Sequence, residues 1–192
     1  SESGIDAFVR TWKESTFSPT RFYSTMPEQQ GLCPSLLYYL IVGVTIAAIG
    51  LFWNMVLPGM ASASAEMALS PLVQFLLSPL LQVIALFAGA GIMHLMVLML
   101  MPQHGPYGRT LRVYCFSNSP GLVFMLIPYV GILITAVWTL VLLIIGLREA
   151  HRSTTGRAAT AVLLPGCVLL VIIVVIVVAL LAIGLSLPGM PT

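Results

Sequence analysis

Residues able to do chemistry are few in this sequence, and most stand alone. His94 sits within an apolar run beside Met93, Met96 and Met99. An ionisable side chain at membrane depth is a candidate proton relay, metal ligand or haem ligand, and thioethers bind Cu(I). Successive residues of a helix point about 100° apart, so Met93 and Met96 do not share a face with His94. Its same-face neighbours, Ala90, Gly91, Val97 and Leu98, are not ligands. The expectation is a neutral histidine bonded to a neighbouring helix. The second feature is Ser117-Asn118-Ser119-Pro120-Gly121, a polar break in an otherwise apolar segment. Proline frees a carbonyl about four residues back, near Phe116. Broken helices of this kind hold ions or substrates in transporters; otherwise the polar groups bond across to a neighbour such as Thr135 or Thr139. The third is Arg148, Arg152 and Arg157, which suit anionic lipid or simply set topology. No acid pair, nucleophile–base–acid set or phosphate-cradling glycine loop can be assembled, so no catalytic residue and no cofactor are expected. Cys33, Cys115 and Cys167 have no metal-like spacing and read as small apolar fillers.

The elements that position these residues follow from charge. All 8 Lys and Arg fall in three stretches: Arg10, Lys13 and Arg21; Arg109 and Arg112; Arg148, Arg152 and Arg157. Cytoplasmic retention of basic residues places all three on one side of a bilayer. An even number of spans must then separate consecutive clusters. The composition, 59% hydrophobic and 7% charged, has too little polar surface to cover a soluble core. The net charge of +2 reports side bias, and no nucleic-acid partner is expected.

Five spans result, at about 35–57, 78–101, 111–127, 131–147 and 163–187. The N-terminus is inside, and the tail 188–192 is outside. Ser78-Pro79 is taken as the start of the second span, with 61–77, including Glu66, external. Residues 111–147 form either two short spans or one re-entrant hairpin. The expectation is therefore an all-α polytopic membrane protein. Its first 34 residues form an amphipathic segment in the headgroup plane or against a partner, not a cleavable signal. Ile5, Phe8, Val9 and Trp12 follow i, i+3, i+4, i+7 and form the apolar stripe of a short helix. Gly43, Ala47 and Gly50 line one face of the first span and allow close approach of another helix, either a partner or the second span with its Ala85, Ala88 and Gly89.

Three passages carry a family resemblance: FSPTRFYSTMPEQQGLCPSLLYYLIVG, YGRTLRVYCFSNSPGLVFMLIPYVG and WTLVLLIIGLREAHRSTTGRAATAVLLP. Together they make about residues 16–165 resemble a prokaryotic member of the Yip domain family, whose eukaryotic members are Ypt/Rab-interacting membrane proteins. The resemblance implies a five-span domain with a cytoplasmic N-terminus. The long N-terminal region of eukaryotic members, with its Asp-Leu-Tyr-Gly-Pro-like segment, has no counterpart; the nearest text is His104-Gly105-Pro106-Tyr107-Gly108. The functional expectation is a non-enzymatic protein of the bacterial cytoplasmic membrane. It would act as an adaptor or accessory subunit, partnered by lipid and by other membrane proteins or its own copies. The alternative is a small transporter or channel built on the break at Ser117–Pro120.

Overall fold

The computed structural model describes residues 3–27, 31–57 and 70–186, and these are helical with short connections. The first two helices are α1 (Gly4–Phe17) and α2 (Pro19–Ser24). The Ser3 hydroxyl accepts from Asp6 N–H at 3.3 Å and caps α1. Pro19 ends α1 and opens α2, where its missing N–H costs no bond. Next come α3 (Cys33–Val56), α4 (Pro71–Leu100), α5 (Tyr107–Ser117), α6 (Gly121–Phe124), α7 (Val130–Ala150) and α8 (Thr155–Ser186).

Four helices are long and apolar enough to cross a membrane: Cys33–Val56, Leu72–Leu100, Val130–Ala150 and Thr155–Ala179. Two begin earlier than expected. The Ser70 hydroxyl accepts from Val73 N–H at 3.5 Å, so α4 starts at Pro71 rather than Ser78 and carries Pro79 in its interior. Both Ser-Pro pairs suit a helix start. The apolar run between them makes the longer helix the better solution, at the cost of one backbone bond. Residues 70–77 are thus helix start, while 58–69 and the tail 187–192 lie outside the described residues. Similarly, α8 starts at Thr155 rather than 163, because Thr154 Oγ1 accepts from Arg157 N–H at 3.4 Å. Ala158, Ala161 and Val162 then bury against α4 and α7.

The expected third span, 111–127, is not one helix. It is α5 and α6 with the Asn118–Pro120 break between them, and neither piece is a long apolar helix. The segment nevertheless climbs alongside α3. A Cβ at Gly108 would touch Leu32, before the start of α3. Leu111 and Cys115 pack with Tyr39. A Cβ at Gly121 would meet Ile46, and Trp53 Nε1 donates to Met125 O at 3.2 Å in the last turns of α3. This segment is also the best buried: Thr110, Leu111, Arg112, Val113, Cys115 and Ser117 all lie inside. The outside of the bundle is apolar, while its interior sets polar side chains such as Thr110, Ser117 and Ser119 among packed apolar ones such as Val97, Leu142 and Leu147. Lipid solvates leucine as well as a core does, so the inward-facing apolar residues gain by close packing and the polar ones by finding hydrogen-bond partners.

Candidate functional site

Two hydrogen-bonded clusters hold α5, one at each end. At its start, Gly105 N–H donates to His151 Nδ1 at 3.0 Å. The other nitrogen, Nε2, must then carry the proton of a neutral ring. It lies 3.0 Å from Thr110 Oγ1, which in turn lies 2.9 Å from His94 Nδ1. The single hydroxyl proton of Thr110 therefore points to His94, giving a directed chain from Gly105 through His151 and Thr110 to His94. His151 is 1% exposed. Burial, then the positive charge of neighbours His94, Arg109 and His104, pushes its pKa down to about 4. The chain ties α4, α5 and the end of α7 together. His94 has the neighbouring-helix bond expected of it, with its ring 5.4 Å from that of Tyr107 at a steep angle. Met93 and Met96 pack into the core away from it, and Met99 is exposed. No cluster of three metal-binding side chains exists among the described residues.

At the other end the break is a socket for the N-terminal helices. The Ser119 hydroxyl lies 2.9 Å from Ser15 Oγ and 2.8 Å from Tyr38 Oη, and also bonds Phe116 O. Trp12 Nε1 donates to Ser119 O at 3.1 Å. Ser117 Oγ bonds Val113 O at 2.7 Å and lies 3.2 Å from Tyr23 Oη on α2. Trp138 Nε1 on α7 donates to Thr16 O at 3.0 Å. The carbonyl freed by Pro120 is thus occupied from within the chain. Thr135 and Thr139 are not the partners expected: their hydroxyls are buried without a hydrogen bond. They lie on α7, whereas α1 and α3 reach the break first. The Asn118 side chain bonds nothing among the described residues and its backbone caps α5; Pro120 is buried and opens α6.

The N-terminal stripe divides. Phe8 packs on Tyr38 with centroids 5.2 Å apart, and Trp12 is held at the break. Ile5 and Val9 remain exposed, at 76% and 49%. The small-residue face divides too. Gly43 is filled by Gln82 of α4, which leaves no room for a Cβ, whereas Gly50 has open space. Gly89 takes the Tyr114 ring. Ala47 and Gly50 line a groove of about 250 Å³ with Asn54 and Ser78. Among the arginines, Arg148 pairs with Glu149 at 2.6 Å and bonds Thr155. Arg152 and Arg157 line a shallow cavity of about 290 Å³ beside Ser153. Of the cysteines, Cys115 is buried in the core, and Cys33 and Cys167 are exposed thiols.

Sequence reasoning passed over Ser15, Tyr38, Thr110, Arg112 and His151 as site residues. One signal was available: Ser15 falls on the same helical face as Phe8 and Trp12, at i+7 and i+3, so a small polar residue lies within an apolar stripe. His151 gave no signal, because a histidine among loop arginines reads as solvated.

No curated protein and no solved structure matches the chain. The Yip1 domain family matches residues 13–186, which takes in every helix from the end of α1 to α8 and, apart from Trp12, both clusters around α5. The chain belongs to the Yip1 domain family, and with its apolar helices it is an integral membrane protein.

Proposed function

We propose that this chain acts by binding other membrane proteins laterally, as an adaptor or accessory subunit in the cytoplasmic membrane of a bacterium. The observation that carries this reading is the open Ala47/Gly50 groove between α3 and α4. Ser78 lines it, and the Ser78 hydroxyl and Gln82 Oε1 nearby are buried without a hydrogen bond. Small residues let a neighbouring backbone approach, and an unpaired polar atom in lipid favours whatever partner completes its bond. A second surface points the same way: α8 buries a stripe only as far as Val162, and from Gly166 to Ala179 every residue is exposed. The transporter alternative is weaker because the break at Ser117–Pro120 is filled by α1 and α2.

Five crossings with the N-terminus inside suit this geometry. Gly105 and Arg109 bond the end of α7 at His151 and Ala150, while Met125 meets the far end of α3. This course between opposite ends of its neighbours favours a broken crossing over a re-entrant hairpin. A photo-reactive side chain at Leu51, which lines the groove, is expected to give a discrete protein adduct in intact membranes. One at Leu133, on the exposed face of α7, should yield mainly lipid adducts. The lateral-binding proposal fails if the Leu51 probe labels lipid alone.

A further inference from the structure

The cleft between α1, α2, α3 and α5 is lined by a buried cation. Arg112 is 7% exposed and lines a cavity of about 510 Å³ with Phe8, Tyr38, Phe116, Leu37 and Ile41. Its Nη1 donates to Pro27 O at 2.6 Å. Its Nε is buried with no hydrogen bond, and no acid pairs with it among the described residues. A desolvated guanidinium is costly unless its donors are met by an acceptor, preferably an anion. The edge left over, Nε and Nη2, is the pair that takes two oxygens of one phosphate side by side.

We propose that this cleft binds a membrane phospholipid, with its phosphate on the Nε–Nη2 edge of Arg112 and an acyl chain along Leu37 and Ile41. The walls select lipid over free phosphate. Leu37 and Ile41 are 57% and 44% exposed on the outer face of α3, so the cavity opens where hydrocarbon lies. Arg10 and Glu14 of α1 also line it; Glu14 is exposed, on the solvent side where a headgroup would emerge, and it disfavours an extra headgroup negative charge. Arg148, Arg152 and Arg157 do not line this cleft, although Arg112 also borders a smaller cavity with Arg152, and the site gives α1 a role as the wall of a lipid cleft.

Native mass spectrometry of the full chain, purified in mild detergent, tests this. The wild type is expected to retain one phospholipid, and Arg112→Lys to retain about tenfold less, the cost of losing one charge-assisted fork. Lysine keeps the charge and a donor for Pro27 O, so the fold survives. Ile41→Trp, which fills the hydrocarbon end from an exposed position, should lose the lipid as well. Excess inorganic phosphate should not displace it. Wild type and Arg112→Lys losing lipid alike would overturn the proposal, as would displacement by inorganic phosphate or full retention in Ile41→Trp.

Discussion

Replacing Ser119 with valine is expected to unlatch the N-terminal helices. The substitution puts methyl groups in place of the hydroxyl, which is shared by Ser15, Tyr38 and Phe116 O; valine has the shape of threonine, so Ser119→Thr controls for the added bulk. Ser15 keeps its bond to Trp12 O at 3.1 Å, whereas Tyr38, 6% exposed, loses its partner and regains no water while α1 stays in place. A buried polar group left without a partner costs about 1–3 kcal/mol. Membrane bonds run lower, at about 0.6 kcal/mol on average, which puts the loss at about 0.6–3 kcal/mol. The chain can relieve that cost by letting α1 detach. Protease cleavage near Phe17 in detergent should therefore accelerate in Ser119→Val before the bundle melts. Ser119→Thr restores the hydroxyl and should restore protection. Equal cleavage of the valine variant and wild type would mean that the latch does not hold α1.

A larger loss is expected from Gly131→Ala. Gly131 begins α7 directly against α6, and a methyl group there would overlap the carbonyl oxygen of Phe124. Backbone cannot swing aside as a side chain does. The turn has no slack: Tyr129 already sits at φ 63°, in the left-handed region that bulky residues avoid, and Gly131 N–H bonds Ile127 O at 3.0 Å. The expected destabilisation is about 3 kcal/mol or more. Gly50→Ala is the matched contrast, because among the described residues nothing lies within 4 Å of its Cβ. Alanine is the better helix former by about 1 kcal/mol, so that variant should be as stable as wild type or slightly more so. Thermal denaturation of both in one detergent reads the difference directly.

Much of this architecture was legible because charge and proline act locally. The three arginine-bearing stretches marked segments that lie outside the apolar runs, and those runs marked α3, α4, α7 and α8. What was hidden depended on contacts between distant residues. Thr110, Arg112 and Ser117 look like the weakest part of a marginal span. They are buried inside the bundle, because polar groups in a membrane need partners that neighbouring helices supply and lipid does not. Whether Ser78 or Ser70 starts α4 rests on the balance of one lost backbone bond against seven more helical residues, which local sequence does not decide. The partners of the Ser117–Pro120 break were sought on the adjacent helix and are more than eighty residues away, at Tyr38, Tyr23, Ser15 and Trp12. The amphipathic stripe was legible as a stripe; that half of it docks onto its own bundle needed the bundle.

The family and the membrane location leave binding as the central claim. Its most direct test is the mass of the particle extracted with its surrounding lipid into native nanodiscs, without detergent. Wild type should leave the membrane in a complex that exceeds the 20.6 kDa of one chain by a discrete protein mass. Gly50→Leu, which fills the α3–α4 groove where no described residue lies within 4 Å of an added Cβ, should fold normally and emerge alone. A wild-type particle holding only one 20.6 kDa chain and lipid would contradict the account.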